Sequence, residues 1–292
     1  MFTGSLTALI TPFKNNAVDE AALQDLVQWQ LDEGTDGLVP CGTTGESPTL
    51  SADEQRRVIE LTVEAAAGRA PVIAGAGSND TSKGIARSRQ AEAAGADGLL
   101  IVTPYYNKPN QEGLYRHFEA IHDAVSLPIL IYNIPGRSVI DMSVKTMSAL
   151  SRLERIVGVK DATGDMARAR DQREACGEDF TLLSGDDSTA VEFAANGGDG
   201  AISVTSNVAP GLCAQIWDAA AAGELGEARS IDSGLAELHK ALFLDPSPGP
   251  AKYALSLLGR SGVDVRLPIT EPGEAAKDAV RAAMNRAGLL DG

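Results

Sequence analysis

The chain has 292 residues, of which 43% are hydrophobic and 22% charged, an ordinary globular composition with enough residues to bury a substantial core. Its formal net charge of -15, with no basic cluster, excludes the usual pattern of proteins that bind nucleic acid or anionic membranes. No apolar stretch approaches the roughly 20 residues that span a bilayer, and the N-terminus lacks a signal-peptide pattern, so we expect a cytoplasmic protein.

Short apolar or β-branched runs recur along the chain and predict eight strands: Leu6–Phe13, Gly37–Cys41, Pro71–Gly75, Gly98–Thr103, Pro128–Ile134, Ile156–Lys160, Thr181–Ser184 and Gly200–Thr205. Segments of helical period separate them: Ala21–Glu33, Ala52–Ala67, Thr81–Ala94, Gln111–Ala124, Ser143–Leu150 and Met166–Ala175. In three connections a glycine precedes an Asp-Gly pair, and we expect Gly34, Gly95 and Gly197 to end their helices in the left-handed conformation.

Eight strands that alternate with helices predict an α/β fold of the TIM (β/α)8 barrel type rather than an open doubly wound sheet. After about Gly211 only helical segments follow: Ala214–Ala222, Glu224–Ala241, Lys252–Leu258 and Glu274–Ala287. The proline-rich segment Asp245–Pro250 predicts a stiff connection between them. We therefore predict a barrel with the active site in residues 1–224 and a C-terminal helical extension in residues 225–292.

Lys160 is the most unusual of the eight lysines, because it ends the apolar run Ile156–Val159 and precedes the loop Asp161–Gly164. The other lysines have polar or helical surroundings that indicate a solvated surface: Lys14, Lys83, Lys108, Lys145, Lys240, Lys252 and Lys277. Burial at a strand end disfavours the ammonium form and leaves a nucleophile that can attack a carbonyl to form a Schiff base. The alternatives are a lysine that extends into solvent or one that pairs with Asp161.

Active sites of (β/α)8 barrels lie at the C-terminal ends of the strands, and the unusual residues of this chain fall at those positions. They are Gly42–Glu46 after the second strand, Thr103–Tyr106 after the fourth, Tyr132–Arg137 at the fifth, Lys160 at the sixth, Ser184–Asp187 after the seventh and Ser203–Asn207 after the eighth. A barrel without a catalytic function gives no reason for two tyrosines, an arginine, paired threonines and a lysine to share one rim.

Each of these segments has a chemical and a purely structural interpretation. Gly42–Gly45 offers backbone N–H groups and hydroxyls to a carboxylate, although by itself it is more typical of a turn. Tyr132 would relay protons at an imine or fill a layer of the barrel, and Arg137 would grip a carboxylate or extend into solvent. Asp186-Asp187 is more typical of a helix N-cap than of a cation site. The three histidines and three cysteines lack metal-ligand spacing, so no metal site is predicted.

Together these residues resemble the dihydrodipicolinate synthase/N-acetylneuraminate lyase family, class I aldolase-like barrels that activate pyruvate through a lysine imine. The resemblance covers essentially the whole chain and is carried by Met1–Ser5, Val102–Asn107, Tyr132–Pro135, Val159–Gly164 and Leu183–Asp187. Within the family, Tyr106 and Arg137 are similar to the synthase branch, because the sialic-acid lyases do not keep that arginine.

The resemblance implies that Lys160 attacks the ketone of pyruvate, and that the resulting enamine adds to L-aspartate 4-semialdehyde at the entry to the lysine and diaminopimelate pathway. It also implies the roles of the other site residues: Tyr132, Thr43 and Tyr106 as a hydroxyl relay, Thr44 and the backbone at Ile202 for the pyruvate carboxylate, Gly185 as space beside the imine, and Arg137 for the semialdehyde carboxylate. No metal or organic cofactor is implied.

The resemblance further implies a homo-oligomer, at least a dimer and more typically a tetramer, in which Tyr106 enters a neighbouring active site. Feedback-inhibited members bind lysine at the dimer interface, near positions that match Ser47, Pro48, Ala52, Gln55, Asn79, Lys83 and Tyr105. Here Lys83 replaces a glutamate that typically meets the inhibitor's amino group, and Ala52 and Gln55 occupy the histidine positions. An ammonium group repels a lysine ligand, so we expect weak or absent inhibition by L-lysine.

Two other functions fit parts of the pattern. Another pyruvate-dependent class I aldolase or dehydratase, acting on a sugar acid or related keto acid, would keep Lys160 and Tyr132 but would need a different aldehyde pocket, so Arg137 and Tyr106 count against it. A non-catalytic barrel that senses a keto acid is the remote alternative. Loss of Lys160 or Tyr132 would have favoured a sensor, and both residues are present.

Overall fold

The structure is a computed structural model that describes residues 2–290, and strands and helices alternate along most of this range. Its strands are β1 Gly4–Thr7, β2 Phe13–Lys14, β3 Ala17–Val18, β4 Gly37–Leu38, β5 Ile73–Gly75, β6 Gly98–Val102, β7 Ile129–Asn133, β8 Ile156–Asp161, β9 Thr181–Ser184 and β10 Gly200–Ser203. The barrel helices are α1 Glu20–Asp32, α2 Ala52–Ala66, α3 Thr81–Ala93, α4 Gln111–His122, α5 Pro135–Ser138, α6 Val144–Leu150, α7 Met166–Cys176, α8 Ala190–Ala195 and α9 Pro210–Ala221. Three more helices follow: α10 Leu225–Ala241, α11 Gly249–Leu257 and α12 Glu274–Arg286.

Eight strands form one parallel sheet in the order β4-β1-β10-β9-β8-β7-β6-β5. Its two edges are joined by a bridge between Leu38 and Val72. Backbone N–H groups reinforce this seam, because Leu38 donates to the carbonyl of Pro71 and Gly75 donates to that of Pro40, each at 2.9 Å. The sheet therefore closes into the predicted (β/α)8 barrel.

Closure of the barrel divides the strand side chains into two sets, because successive residues of a strand point to opposite faces. The inward set forms an apolar interior: Phe2, Leu6, Ala8, Val39, Ile73, Leu100, Leu130, Tyr132, Leu183 and Ile202. The outward set packs against the helices in a larger core that includes Leu99, Ile101, Ile131, Val159 and Leu182. Burial on both faces explains why the strands read as short, nearly continuous apolar runs.

The first strand was predicted at the wrong place. We expected Leu6–Phe13, whereas β1 spans Gly4–Thr7. It begins earlier because Gly4 pairs with Gly200 in the adjoining strand. It ends earlier because the backbone N–H of Ile10 donates to the side chain of Asn207, at 3.0 Å, rather than to a neighbouring strand. The hairpin of β2 and β3 then occupies Phe13–Val18.

Helix ends differ from the predicted bounds mainly where proline lies in the first turn. Helix α9 begins at Pro210 rather than Ala214, and α11 begins at Gly249 rather than Lys252. Proline fits these positions because the first N–H groups of a helix have no intrahelical partner. The glycine prediction is confirmed, since the φ angles of Gly34, Gly95 and Gly197 are 98°, 89° and 95°.

The three helices after α9 form the C-terminal extension of the barrel. Helix α10 packs on α9 and α12 through buried residues such as Leu235, Leu238 and Met284. The connection between α10 and α11 returns to the mouth of the barrel, where Phe243 and Ser247 line a cavity. The predicted division at residue 224 stays a prediction, and its outermost residues, 1 and 291–292, lie outside the described residues.

Lys252 contradicts the sequence-based assignment of a solvated side chain. It is completely buried, and its Nζ lies 2.6 Å from Oε1 of Glu46. The local sequence of α11 gave no sign of this burial, because the partner carboxylate lies far upstream, beyond the second barrel strand. This ion pair joins the extension to the loop that follows β4.

Within residues 2–290, no helix combines the length and apolar character needed to cross a membrane. The same range contains no group of three or more His, Cys, Asp or Glu side chains that could hold a metal ion. The three cysteines are free, and burial raises the pKa of the Cys41 thiol to about 12, consistent with a packing role.

Candidate active site

Lys160 lies on β8 with its side chain inside the barrel. The strand register pairs it with Tyr132 on β7 and with Leu183 on β9, two other inward residues. The Nζ atom of Lys160 lies 4.4 Å from the centre of the Tyr132 ring, and only 6% of the residue is exposed. The amine is thus held against an aromatic face at the bottom of a cavity, where a small carbonyl compound can reach it.

Asp161 is not the partner of Lys160, which removes one of the structural alternatives. Its side chain lies on the outer face of β8, where Oδ2 accepts hydrogen bonds from Arg168 Nε at 3.1 Å and Gln172 Nε2 at 2.6 Å. Oδ1 accepts from the backbone and hydroxyl of Thr163. No ion pair involving the Lys160 amine occurs between residues 2 and 290. The strand therefore directs the acid outward and the amine inward.

A cavity of about 60 Å³ opens above Lys160 at the C-terminal ends of the strands. It brings together most of the predicted site: Thr43, Thr44, Tyr132, Arg137, Lys160, Gly185 and Ile202. Val204, from the predicted rim segment Ser203–Asn207, lies in the same wall. Phe243 and Ser247 also line it but were not predicted, because they come from a connection that local patterns assigned only to the extension.

Tyr106 does not line this cavity in its own chain. It is 87% exposed and adopts a positive φ of 74°. A positive φ in a bulky residue is uncommon and requires support from its surroundings. The neighbouring Asn107 side chain donates to the carbonyl of Asn79 at 2.8 Å, which ties this loop to the segment after β5.

The loop that carries Thr43 and Thr44 has a defined shape. The hydroxyl of Thr11 donates to the carbonyl of Gly45 at 2.8 Å. Gly45 must be small, because a Cβ at this position would lie 3.0 Å from the Cys41 nitrogen and 3.1 Å from the Leu9 carbonyl oxygen. Thr44 is buried and lines the cavity.

Gly185 provides the space beside the amine. A Cβ added there would lie 2.8 Å from the Cβ of Ala162 and 3.0 Å from the Cε of Lys160. Its backbone N–H donates to the carbonyl of Asp161 at 2.7 Å, so the backbone cannot easily move away. Any residue with a side chain would therefore crowd the position that a group attached to the lysine must occupy.

Arg137 lies on the short helix α5, exposed at the mouth of the cavity. It also lines an adjoining cavity of about 250 Å³ that contains Arg87, Ser47, Pro48 and Tyr105. The structure describes no ion pair of Arg137 with residues 2–290. Arg87, which sequence analysis missed, is held by a hydrogen bond from Nη1 to the Gly77 carbonyl at 2.9 Å. Two guanidinium groups thus create local positive potential in an acidic protein.

The residues proposed for lysine inhibition are only partly brought together. Ser47, Pro48 and Tyr105 share the adjoining cavity, and buried Gln55 donates to the Ser47 carbonyl at 2.8 Å. Lys83 lies exposed on α3, and neither Asn79, Lys83 nor Ala52 lines this cavity.

The acidic pair and the histidines have structural roles. The side chain of Asp186 accepts from the backbone N–H of Ser188 at 3.0 Å, so the N-cap prediction is confirmed. Asp187 Oδ2 accepts from the N–H groups of Val204 and Thr205, which fixes the chain after β10. The histidines are buried packing residues, and burial lowers the pKa of His117 to about 4.

Comparison with known proteins identifies the family. Residues 1–287 match the Dihydrodipicolinate synthetase family. A relative named 4-hydroxy-tetrahydrodipicolinate synthase from Rhodospirillum centenum is 61% identical over 290 residues, which cover 99% of this chain and 100% of the relative. The structure matches the dihydrodipicolinate synthase of Aquifex aeolicus with a TM-score of 0.97, 44% identity and full coverage of both chains. It also matches the chloride-inhibited enzyme of Acinetobacter baumannii, solved with pyruvate, with a TM-score of 0.97, 42% identity and coverage of 99% and 100%.

The geometry at Gly185 leads to a test. Gly185→Ala should weaken adduct formation between Lys160 and pyruvate about tenfold, since overpacking costs on the order of 1–3 kcal/mol. Borohydride trapping over a range of pyruvate concentrations measures this change by mass spectrometry. Gly136→Ala is the matched control, because no atom lies within 4 Å of its added Cβ. Equal trapping in both variants would show that Gly185 is not needed for space.

Proposed function

We propose that Lys160 forms the Schiff base through which this enzyme condenses pyruvate with L-aspartate 4-semialdehyde. The chain belongs to the Dihydrodipicolinate synthetase family, and this membership supports the proposal. The family consists of Schiff-base-forming lyases with a (β/α)8 barrel, and this chain is an enzyme of that type. The observation that carries the assignment of Lys160 is its buried amine, free of any carboxylate partner among residues 2–290, above the Tyr132 ring in the cavity.

In the first step the neutral amine of Lys160 adds to C2 of pyruvate, and loss of water gives an iminium ion. The positive nitrogen withdraws electrons, so the methyl group loses a proton and an enamine forms. Thr44 and the backbone at Ile202 hold the pyruvate carboxylate in the same cavity. The support for this placement is that both residues line the same small cavity as the amine.

In the second step the enamine carbon attacks the aldehyde carbon of L-aspartate 4-semialdehyde, and a new C–C bond forms. Arg137 at the mouth holds the carboxylate of this second substrate through charge-assisted hydrogen bonds. Attack of the substrate amine on the imine carbon then closes the ring and expels the Lys160 amine. The product is a hydroxylated tetrahydrodipicolinate, and the enzyme returns to its starting state without an organic or metal cofactor.

Proton transfers in both steps require a hydroxyl relay. Tyr132 and Thr43 line the cavity within one subunit, and Tyr106 of a partner subunit supplies the third hydroxyl. The 87% exposure of Tyr106 and its positive φ support this arrangement, because the ring is presented outward by a constrained backbone. The working unit is then at least a dimer, with a tetramer as the expected assembly, and we place its biosynthetic activity in the cytoplasm.

Lys160 is tested by borohydride reduction in the presence of pyruvate. Reduction should fix a pyruvate-derived mass on Lys160, because it converts the reversible imine to a stable secondary amine. Lys160→Ala should abolish the adduct while the circular dichroism spectrum is unchanged, whereas Lys108→Ala should retain it. An adduct mapped by peptide mass spectrometry to Lys108 or Lys252 would contradict the mechanism.

The shared site is tested by mixing two inactive variants. Tyr106→Phe and Lys160→Ala should together recover activity, because a mixed dimer has one site with neither lesion. With random exchange at equal concentrations, recovery should approach about a quarter of the wild-type rate, since about half the dimers are mixed and each has one intact site. If native mass spectrometry verifies exchange and no activity returns, Tyr106 does not act in the partner's site.

L-lysine should inhibit this enzyme weakly, with half-inhibition above about 1 mM, a high value for a metabolite site. The two candidate replacements for the missing glutamate are engaged elsewhere, because Glu54 pairs with Arg266 and Asp80 caps α3. Lys83→Glu, which reverses the charge, should increase sensitivity, and Lys145→Glu is a control with the same charge change on α6. Strong inhibition of the wild-type enzyme at subsaturating pyruvate would show that the charge at residue 83 is not decisive.

A further inference from the structure

The loop that carries Thr43 and Thr44 is strained at both of its ends. Cys41 and Glu46 have φ angles of 57° and 54°, in the left-handed region that residues other than glycine rarely adopt. This conformation is unfavourable for a residue other than glycine, and it persists only when contacts around the residue fix it. The contacts that hold Glu46 therefore set where the two threonines lie.

Glu46 is held through its carboxylate, and only 3% of the residue is exposed. Oε1 lies 2.6 Å from Nζ of Lys252, and Oε2 accepts a hydrogen bond from the backbone N–H of Arg266 at 2.9 Å. The backbone N–H of Glu46 donates to the carbonyl of Thr43 at 3.1 Å. This turn directly connects Glu46, whose carboxylate is anchored, to Thr43 at the cavity wall.

The partners of Glu46 belong to the C-terminal extension and are themselves fixed. Lys252 on α11 donates to the Asp264 carbonyl at 2.7 Å and lies 4.0 Å from the centre of the Phe13 ring. The Arg266 guanidinium lies 4.3 Å from the centre of the same Phe13 ring and forms two hydrogen bonds with Glu54. Glu46, Lys252, Arg266 and Glu54 thus form one cluster of charged side chains. Burial lowers the pKa of Lys252 to about 8, an effect that Glu46 opposes.

The charges in this cluster balance, with two cations and two carboxylates. Removing one member of a buried pair leaves the other charge without compensation. Lys252 is completely buried on α11, whereas Cys41 and Glu46 of the loop hold left-handed backbone conformations from which the chain can relax, so the loop is the part that shifts when the pair is broken. Neither Glu46 nor Lys252 lines the cavity, so their influence on the substrate acts through the position of the loop.

We propose, on the basis of the function proposed above, that Glu46 is a positioning residue for the pyruvate site: anchored by Lys252 and by the Arg266 N–H group of the C-terminal extension, it fixes Thr43 and Thr44 against the cavity. The extension thereby contributes to pyruvate binding from outside the cavity. Binding of the semialdehyde carboxylate depends on Arg137 and does not depend on this anchor.

Glu46→Gln, which keeps the shape and removes the charge, is the main test. The KM for pyruvate should rise about tenfold, and the pyruvate concentration that gives half-maximal borohydride adduct on Lys160 should rise by the same factor. The KM for L-aspartate 4-semialdehyde should stay within about twofold of the wild-type value. A merely structural role would lower the fraction of active enzyme, and so kcat, without separating the two KM values.

Glu54→Gln is the matched control, since it breaks the neighbouring ion pair with Arg266 and leaves the contact between Glu46 and Lys252 intact. It should lower the thermal unfolding midpoint but leave half-maximal trapping unchanged. The double variant Glu46→Gln/Lys252→Met removes both charges and therefore leaves no buried unpaired ion. It should fold even if Glu46→Gln fails to fold. It should still require about tenfold more pyruvate for half-maximal trapping, because the neutral pair no longer anchors the loop.

Unchanged half-maximal trapping in a folded Glu46→Gln or double variant overturns the positioning role of Glu46. An equal rise in both KM values, or in both Glu46→Gln and Glu54→Gln, also overturns it, because the effect would then be general loss of structure. Failure of the wild-type enzyme to form any adduct on Lys160 is a different result. It would refute the proposed function itself, independently of Glu46.

Discussion

Closure of the parallel sheet into a barrel is the constraint on which the active site depends. Once the two edges are joined, each strand residue must point either into the barrel or towards the helices, and no third direction is available. On β8 this requirement separates two adjacent ionisable residues: Lys160 points inward and Asp161 outward. The acid is then paired with Arg168 and hydrogen-bonded by Gln172 behind the sheet, and the amine has no carboxylate partner among residues 2–290.

The architecture and most of the site could be predicted because they depend on local patterns. Apolar runs at strand spacing indicated the barrel, and residues just after those runs, such as Thr43, Arg137 and Gly185, had to meet at one rim. The first strand was misplaced because its bounds depend on pairing with Gly200 and on Asn207, both about 200 residues away in the sequence. Lys252 was misjudged for the same reason, since a lysine in an unremarkable helix carries no sign that Glu46 will be packed against it.

Other residues escaped prediction because their role requires two distant parts of the chain. Phe243 and Ser247 lie in a connection with no catalytic pattern, and only the packing of the extension brings them to the cavity. The predicted role of Tyr106 stays a prediction, because in a single chain this residue is exposed and does not line the cavity. Arg87 and Arg137 together supply positive charge at the mouth, whereas Glu46, Asp161 and Asp187 are each bound to cations or backbone N–H groups. A net charge of -15 is thus compatible with two anionic substrates.

The position of β1 between β4 and β10 has a consequence for synthesis on the ribosome. Strand β1 emerges before its two neighbours, and β4 can pair with one of its edges soon afterwards. Its other edge has no partner until residues 200–203 have been translated, so a nascent chain carries an open strand edge until that point. Pairing of that edge and arrival of Ser247 at the cavity both require residues translated after position 199. A chain that stops before this point therefore lacks both the second neighbour of β1 and part of the cavity wall.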